Sequence, residues 1–217
     1  MATNTAFSCV STDEHMVASN IPGKLFHPLQ NGLYKPQSAL SGPQLLTDKT
    51  RLKEIYELRV NVWEHSGKSK FVNRQLFPNG WSDELDETAL HWIIMNDKSE
   101  IVAAARLNIF HSLYEFPYNY SLQHLALPIA FPFAFYSRLV VDHRYHGNGL
   151  SRQLAVSRIL FCEKNSINWC LAFINNTHVL KLFEKLDFKN TGQANVSYHQ
   201  SSQPHSVNVL IKNYHYR

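Results

Sequence analysis

The chain is predicted to be an α/β protein built on one sheet of mixed strand direction, and two observations lead to this fold class. Short apolar runs bounded by turn-forming residues recur along the chain, as expected for buried strands. In the second half these runs alternate with longer segments of helical period, which is typical of strand–helix–strand units. The predicted order is β-α-(α)-β-β, then a variable segment, then β-α-β-α-β-β.

The N-terminal region is predicted to differ from the rest. Residues 1–42 are expected to form an extended arm, because Ser, Thr, Asn, Pro and Gly are frequent there and no periodic apolar pattern is sustained. A single domain over residues 43–217 is expected to follow. Its first helix is predicted over 49–64, where apolar residues recur on one face and Thr47 or Asp48 provides the N-cap.

The later elements are predicted from turn signals and apolar periodicity. A turn-forming tetrapeptide between two apolar runs indicates a β-hairpin, and an aromatic, Pro-interrupted stretch then holds one short helix. The predicted strands are 89–95, 101–109, 133–141, 168–174, 188–196 and 207–214, and the predicted helices are 121–126, 150–164 and one after Asn176.

Composition limits the class of protein. With 217 residues, 44% of them hydrophobic, the chain can bury one good core. It has no run of about 18 apolar residues, so we expect no membrane span. We also find no secretory signal pattern. The net charge of +4 suits an anionic ligand, but no Lys/Arg block indicates nucleic-acid binding. The odd cysteine count favours a cytoplasmic protein, and the scattered histidines predict no metal site.

The run 144–151, with sequence RYHGNGLS, carries the most information about function. It lies between a predicted strand and a predicted helix. The first amides of a helix lack internal partners, and Gly147 and Gly149 allow unusual backbone dihedrals and close approach of a ligand. The loop is therefore expected to bind a phosphorylated cofactor. It matches neither the dinucleotide fingerprint nor the P-loop.

Three segments resemble the GNAT superfamily, the Gcn5-related N-acetyltransferases. The loop has the R-x-x-G-x-G pattern of the family's acyl-CoA site. Residues 176–188, NTHVLKLFEKLDF, are similar to the second family signature, and residues 100–107 are similar to its third strand. The resemblance covers about residues 45–213. It implies a mixed, mostly antiparallel sheet, flanked by helices and splayed apart at the acyl-CoA site.

The same resemblance implies acetyl-CoA or coenzyme A as cofactor and a set of residues that bind it. In the family, loop amides hold the pyrophosphate, and the backbone of the strand before the loop holds the pantetheine arm. The cofactor-binding residues implied are Leu139, Val140, Val141, Arg144, His146, Gly147, Asn148, Gly149, Leu150, Ser151, Asn176 and Phe183.

The chain departs from the family pattern where proton transfer is concerned. Phe183 stands where the family often has a Tyr that acts as general acid, and a phenyl ring cannot give a proton. The fourth strand lacks the Glu that often serves as base. Tyr136 is the candidate that remains, as a catalytic or substrate-positioning residue; the alternative is a tyrosine that only packs within the sheet.

The acceptor side has two interpretations that the sequence leaves open. Glu84 and Asp86 belong to an acidic run where the family often builds the acceptor wall, so they are candidate substrate-binding residues. Arg59 and Arg106 lie in apolar elements and could hold an acceptor carboxylate. Alternatively, a buried guanidinium pairs with Asp86 or Glu64.

The resemblance predicts an acetyl-CoA-dependent N-acetyltransferase. It would transfer an acetyl group to a primary amine of a small or amino-acid-like acceptor by direct attack on the thioester. One alternative is a longer acyl donor, because Arg59, Trp81, Asp83, Asp86, Arg106 and the run SRLVVD are similar to the N-acyl-amino-acid and acyl-homoserine-lactone synthases. A non-catalytic acyl-CoA-binding module is another alternative. No macromolecular partner is predicted, and a homodimer is left open.

Overall fold

A seven-stranded sheet lies at the centre of the described part of the chain. The computed structural model describes residues 39–68, 75, 78, 80–198 and 204–214. The strands β1 to β7 are Gln44–Leu45, Leu90–Met95, Ile101–Phe110, Phe133–Val141, Trp169–Ile174, Lys189–Val196 and His205–Asn213. The α-helices α1 to α4 of these residues are Leu52–Trp63, Asn119–Leu122, Leu150–Lys164 and Thr177–Glu184.

The sheet has the order β1-β2-β3-β4-β5-β7-β6. Among the described residues, β4 and β5 form the one parallel pair, and all other neighbours are antiparallel. The predicted mixed, mostly antiparallel sheet flanked by helices is confirmed.

Most of the predicted elements form, with small differences at their ends. The prediction for β4 matches the strand that forms, and β2 and β3 form the predicted hairpin. The first predicted helix begins as a 3₁₀ turn, Lys49–Arg51, and continues as α1. Of its two candidate N-caps, Asp48 takes the role, since its carboxylate accepts a hydrogen bond from the Thr50 amide at 3.0 Å.

The short helix predicted over 121–126 forms earlier in the chain than expected. It consists of α2, Asn119–Leu122, followed by a 3₁₀ turn, Gln123–Leu125. Ala126 then adopts φ of 43°, a left-handed conformation that cannot continue a right-handed helix. Residues 1–38, most of the predicted N-terminal arm, lie outside the described residues.

Helices cover the two faces of the sheet. On one face, α3 and α4 bury Leu154, Cys162 and Phe183 in a core shared with the central strands. On the other face, α1 buries Ile55 and Leu58 against the same sheet. Since β4 is central, both of its faces are buried, which explains why its sequence is mostly apolar, apart from Ser137 and Arg138, and lacks the alternation of a half-buried strand.

A β-bulge interrupts β4 at Arg138. The pairing with β3 shifts between Ala104 and Arg106, which lie opposite Val140 and Ser137. Arg138 has φ of 51°, a left-handed conformation that is uncommon for a residue with a Cβ. Bulges of this kind re-aim side chains, and this one occurs where β4 begins to leave β5.

β4 and β5 separate past the bulge. Their parallel pairing runs from Phe133–Trp169 to Tyr136–Ala172 and then stops, although β4 continues to Val141. On its other side β5 stays paired with β7 as far as Ile174. The sheet is therefore open between its two parallel strands at their carboxyl ends, as the resemblance implied.

Candidate active site

The opening between β4 and β5 forms a cavity of about 340 Å³. It reaches both faces of the sheet, because its walls include Val179 and Phe183 of α4 on one side and Val62 and Trp63 on the other. Concave, mostly apolar sites with a few polar groups are where small ligands bind. Of the residues predicted from sequence, those that line it are Arg59, Tyr136, Leu139, Val140, Asn176 and Phe183.

The glycine loop follows β4, the strand whose residues Leu139 and Val140 line the cavity. Gly147 and Gly149 have φ of 84° and 70°, and nothing lies within 4 Å of where a Cβ would sit on either residue. Gly149 is the N-cap of α3, and no side chain caps that helix end. The backbone thus takes the left-handed turns predicted for it and presents an uncapped helix start on an open surface.

Side chains around the loop hold its shape. The Arg144 guanidinium pairs with the Asp142 carboxylate at 2.7 Å, and His146 Nε2 lies 3.1 Å from the Val141 carbonyl oxygen. The Asn148 side chain donates to the Tyr145 carbonyl at 3.1 Å. Leu150 is buried and Ser151 half-buried in the first turn of α3, so the loop is fixed to the core on one side.

Two residues of the second signature border the cavity from α4. The Asn176 side chain accepts hydrogen bonds from the His178 and Val179 amides, so it is the N-cap of α4. Phe183 is buried, and its ring packs edge-on against Phe188 with centroids 4.9 Å apart. A residue with no transferable proton therefore occupies this wall.

A network of five charged residues, Arg59, Asp83, Asp86, Arg106 and Arg138, reaches the other wall of the cavity through Arg59 and Arg138. Arg59 donates to both carboxylate oxygens of Asp86 at 2.8 Å. Arg106 pairs with Asp86 at 2.9 Å and with Asp83, which also pairs with Arg138. Of the two interpretations, the structure has the one in which Asp86 neutralises a buried guanidinium. Glu84 is exposed and does not line the cavity.

This arginine–aspartate network leaves positive charge at the cavity. Burial alone would raise the pKa of Asp86, but the Arg59 and Arg106 guanidiniums outweigh it and hold that pKa well below its usual range. Burial and the Arg59 charge lower the pKa of His91 to about 4, so it is neutral at pH 7. Three guanidiniums thus face two carboxylates. Arg59 and Arg138 line the cavity, and Arg138 stacks 4.5 Å from the Trp81 ring.

Tyr136 lines the cavity, but its hydroxyl is turned into the core. The oxygen lies 3.5 Å from Cys162 Sγ and 3.7 Å from Cys170 Sγ, and the residue is 2% exposed. Burial, with the two neighbouring thiols, raises the pKa of Tyr136 well above its usual value. The hydroxyl therefore stays protonated across the physiological range.

Arg158 is a cavity residue that the sequence analysis missed. It lies on α3 with its guanidinium 4.6 Å from the Tyr136 ring centre, and it is fully buried. Nη1 donates to the Arg106 carbonyl oxygen at 3.0 Å, and Nε donates to Leu154. Its spacing of four residues from both Leu154 and Cys162 places it on the buried helix face, a signal available in the sequence.

The described residues contain no group of three or more His, Cys, Asp or Glu side chains placed to hold a metal ion. None of their helices is long and apolar enough to span a bilayer.

The family model for the GNAT acetyltransferases matches residues 52–188, which run from the start of α1 to the end of the second signature. The chain belongs to the GNAT acetyltransferase family. This GNAT protein is therefore an acyltransferase, in a family that uses acetyl-CoA. No curated protein sequence matches it.

Several solved structures share the fold of this GNAT protein at low identity. FeeM, an N-acyl amino acid synthase from uncultured soil microbes, is 12% identical with a TM-score of 0.58 over 82% of this chain and 92% of that one. The Escherichia coli ribosomal-protein-S18-alanine N-acetyltransferase is 14% identical (TM-score 0.50; 82% and 94% covered). A chain of the NatC complex bound to Gag peptide and CoA is 13% identical (TM-score 0.51; 80% and 98% covered). At these identities the likeness shows the fold alone.

Proposed function

We propose that this GNAT protein transfers an acyl group from a coenzyme A thioester to the primary amine of a small, amino-acid-like acceptor, by direct attack on the thioester. The observation that carries the proposal is the cavity between β4 and β5. It connects the side of the glycine loop with the arginine–aspartate network on the other face of the sheet. A donor and an acceptor that enter from opposite faces would meet in this opening.

The cofactor is proposed to bind along the loop and the open edge of β4. Loop amides from His146 to Ser151 would hold the pyrophosphate, and the backbone of 139–141 would hold the pantetheine arm, next to Asn176 and Phe183. The uncapped start of α3 and the left-handed glycines support this placement. Polarisation of the thioester carbonyl would then need backbone amides only.

The acceptor is proposed to carry a carboxylate beside its amine. The arginine–aspartate network has one guanidinium more than it has carboxylates, and Arg138 keeps 13% of its side chain exposed at the cavity. A partly buried positive charge attracts an anion more strongly than an exposed one does. Binding of the acceptor amine by the Asp86 carboxylate is less favoured, since that carboxylate is already paired with Arg59 and Arg106.

A longer acyl donor is the second candidate, and the cavity walls favour it. Wide apolar and aromatic surfaces line the opening on the network side: Val62, Trp63, Trp81, Tyr198 and Val207. An acetyl group has one methyl to bury, so these surfaces exceed its needs. The shared fold with FeeM, an N-acyl amino acid synthase, agrees with this candidate.

A matrix of donors and acceptors tests the function and the donor together. Acyl-CoA donors from two to twelve carbons are each combined with free amino acids and with the corresponding amino acid amides, and product is measured by mass spectrometry. If the walls bind the acyl chain, kcat/KM should rise about fourfold per methylene, at about 0.8 kcal/mol each, until the cavity is full. A maximum at two carbons would select acetyl-CoA. Equal rates with amino acids and with their amides would refute the proposal that the acceptor carries a carboxylate. If no donor–acceptor pair gives product, the proposed acyl transfer to a small amine is refuted.

Tyr136 is proposed to support the cavity floor with its ring. Its hydroxyl faces two thiols, so Tyr136→Phe should keep kcat within about twofold, because ring packing is retained. The measurement is steady-state kinetics at matched thermal stability. A loss of about tenfold to a thousandfold would instead show that the hydroxyl handles a proton or orients the acceptor.

The predicted cytoplasmic location also remains a proposal. Cys162 and Cys170 are buried free thiols on either side of the same hydroxyl, an arrangement that a reducing compartment preserves.

A further inference from the structure

Arg158 is a fully buried cation at the candidate active site. Among the described residues, no Asp or Glu forms an ion pair with it, and its two hydrogen bonds go to backbone carbonyls. Its Nη2 atom is buried and has no hydrogen-bond partner in those residues. Buried charges are ordinarily paired, so an unpaired one at a ligand cavity needs an explanation.

The arginine–aspartate network differs in this respect. Its guanidiniums also lie near the cavity, but each of them has an Asp carboxylate within ion-pair distance. Burial lowers the pKa of Arg158 to about 10, which still leaves it charged at pH 7. The helix that bears it belongs to the cofactor side of the sheet, together with α4.

The chemistry of acyl transfer provides an anion on this side. When the amine nitrogen bonds to the thioester carbonyl carbon, the C–S bond breaks, and its electron pair stays on sulphur as a thiolate. The proton lost by the amine goes to solvent. Family members that have Tyr at the position of Phe183 can protonate that sulphur; this chain cannot do so from that position.

We propose that the Arg158 guanidinium stabilises the departing coenzyme A thiolate by charge, in place of a proton donor at Phe183. The inference rests on the proposed acyl transfer from a coenzyme A thioester. Arg158 and Phe183 line the same cavity, and both pack on the Tyr136 ring, with the Phe183 ring centre 6.2 Å from that of Tyr136. A fixed cation in a water-poor site stabilises developing negative charge without reorganisation.

The test is the ionisation of bound coenzyme A, measured without any acceptor. Ultraviolet difference spectra follow thiolate formation against pH in the complex with coenzyme A, with the complex of desulfo-coenzyme A as the reference. The thiol pKa of bound coenzyme A should lie about one pH unit below that of free coenzyme A, which is about a tenfold preference for thiolate. In Arg158→Met it should return to the free value or above, and in Arg158→Lys it should stay lowered.

Arg152→Met is the matched control, since it removes the same charge from an exposed position of α3 and should leave the thiol pKa at the parent value. A bound thiol pKa equal to the free one in the parent protein overturns the inference, even if Arg158→Met does not fold. An unchanged pKa in Arg158→Met overturns it too. If neither coenzyme A nor desulfo-coenzyme A binds, the proposed function itself fails.

Discussion

Replacing Asp86 with Asn is expected to lower the free energy of unfolding by about 3–5 kcal/mol, because removing one partner leaves buried guanidiniums uncompensated. Asp86 receives two hydrogen bonds from Arg59 and a third contact from Arg106, and all three residues are at most 4% exposed. Asn has nearly the same shape, so the loss would come from charge and hydrogen bonding rather than from a cavity. Denaturant unfolding followed by circular dichroism measures it.

Glu84→Gln is the matched control for this substitution. Glu84 belongs to the same 3₁₀ turn, Glu84–Asp86, but its side chain is exposed. Its substitution makes the same chemical change, from a carboxylate to an amide. Its effect should stay within about 0.5 kcal/mol. A loss below about 1 kcal/mol in Asp86→Asn would mean that the network contributes little to stability. The role of the network guanidiniums would then be acceptor binding and not stability.

Gly147→Asp is expected to weaken acetyl-CoA binding by about a hundredfold, which corresponds to about 3 kcal/mol. The change puts a carboxylate on the loop proposed to hold the pyrophosphate. A steric clash does not contribute to the expected loss of affinity, since nothing lies within 4 Å of the added Cβ position. Isothermal titration calorimetry with acetyl-CoA gives the affinity of the parent and of the variant.

Two controls separate charge from backbone strain in that experiment. Gly147→Ala adds a Cβ at the same φ of 84° without charge, and should lose much less affinity than Gly147→Asp. Gly42→Asp adds the same carboxylate where there is also open space, next to the edge strand β1, and should bind acetyl-CoA normally. Normal affinity in Gly147→Asp would remove the loop from the cofactor site.

The sequence predicted most of the elements, because local signals mark them. The limits of β4 and α3 follow from turn residues and from the glycine loop between them, and α4 begins directly after Asn176 as predicted. Such features depend on neighbours along the chain. The family signatures added the order of strands, which local pattern alone leaves open.

The charged contacts could not be predicted in the same way. Arg59 and Asp86 are 27 residues apart, and either Asp86 or Glu64 satisfied the requirement for a partner until the sheet fixed their positions. Arg158 was missed because one Arg among apolar helix residues resembles an ordinary interruption of the apolar face, although its spacing from Leu154 and Cys162 places it on that face. The bulge at Arg138 could not be predicted either, since most of β4 is apolar on both faces and has no regular alternation that an extra residue would interrupt.

That bulge changes which side of the sheet a numbered position of β4 reaches. Before it, the even positions Ala134 and Tyr136 face α3, whereas after it the odd position Val141 does so and Val140 packs with α1. The alternation of β4 side chains between the two faces therefore changes phase at the bulge. Deleting Arg138 would remove the extra residue and restore one regular alternation along β4, with Val140 and Val141 still opposite Ala104 and Ala103.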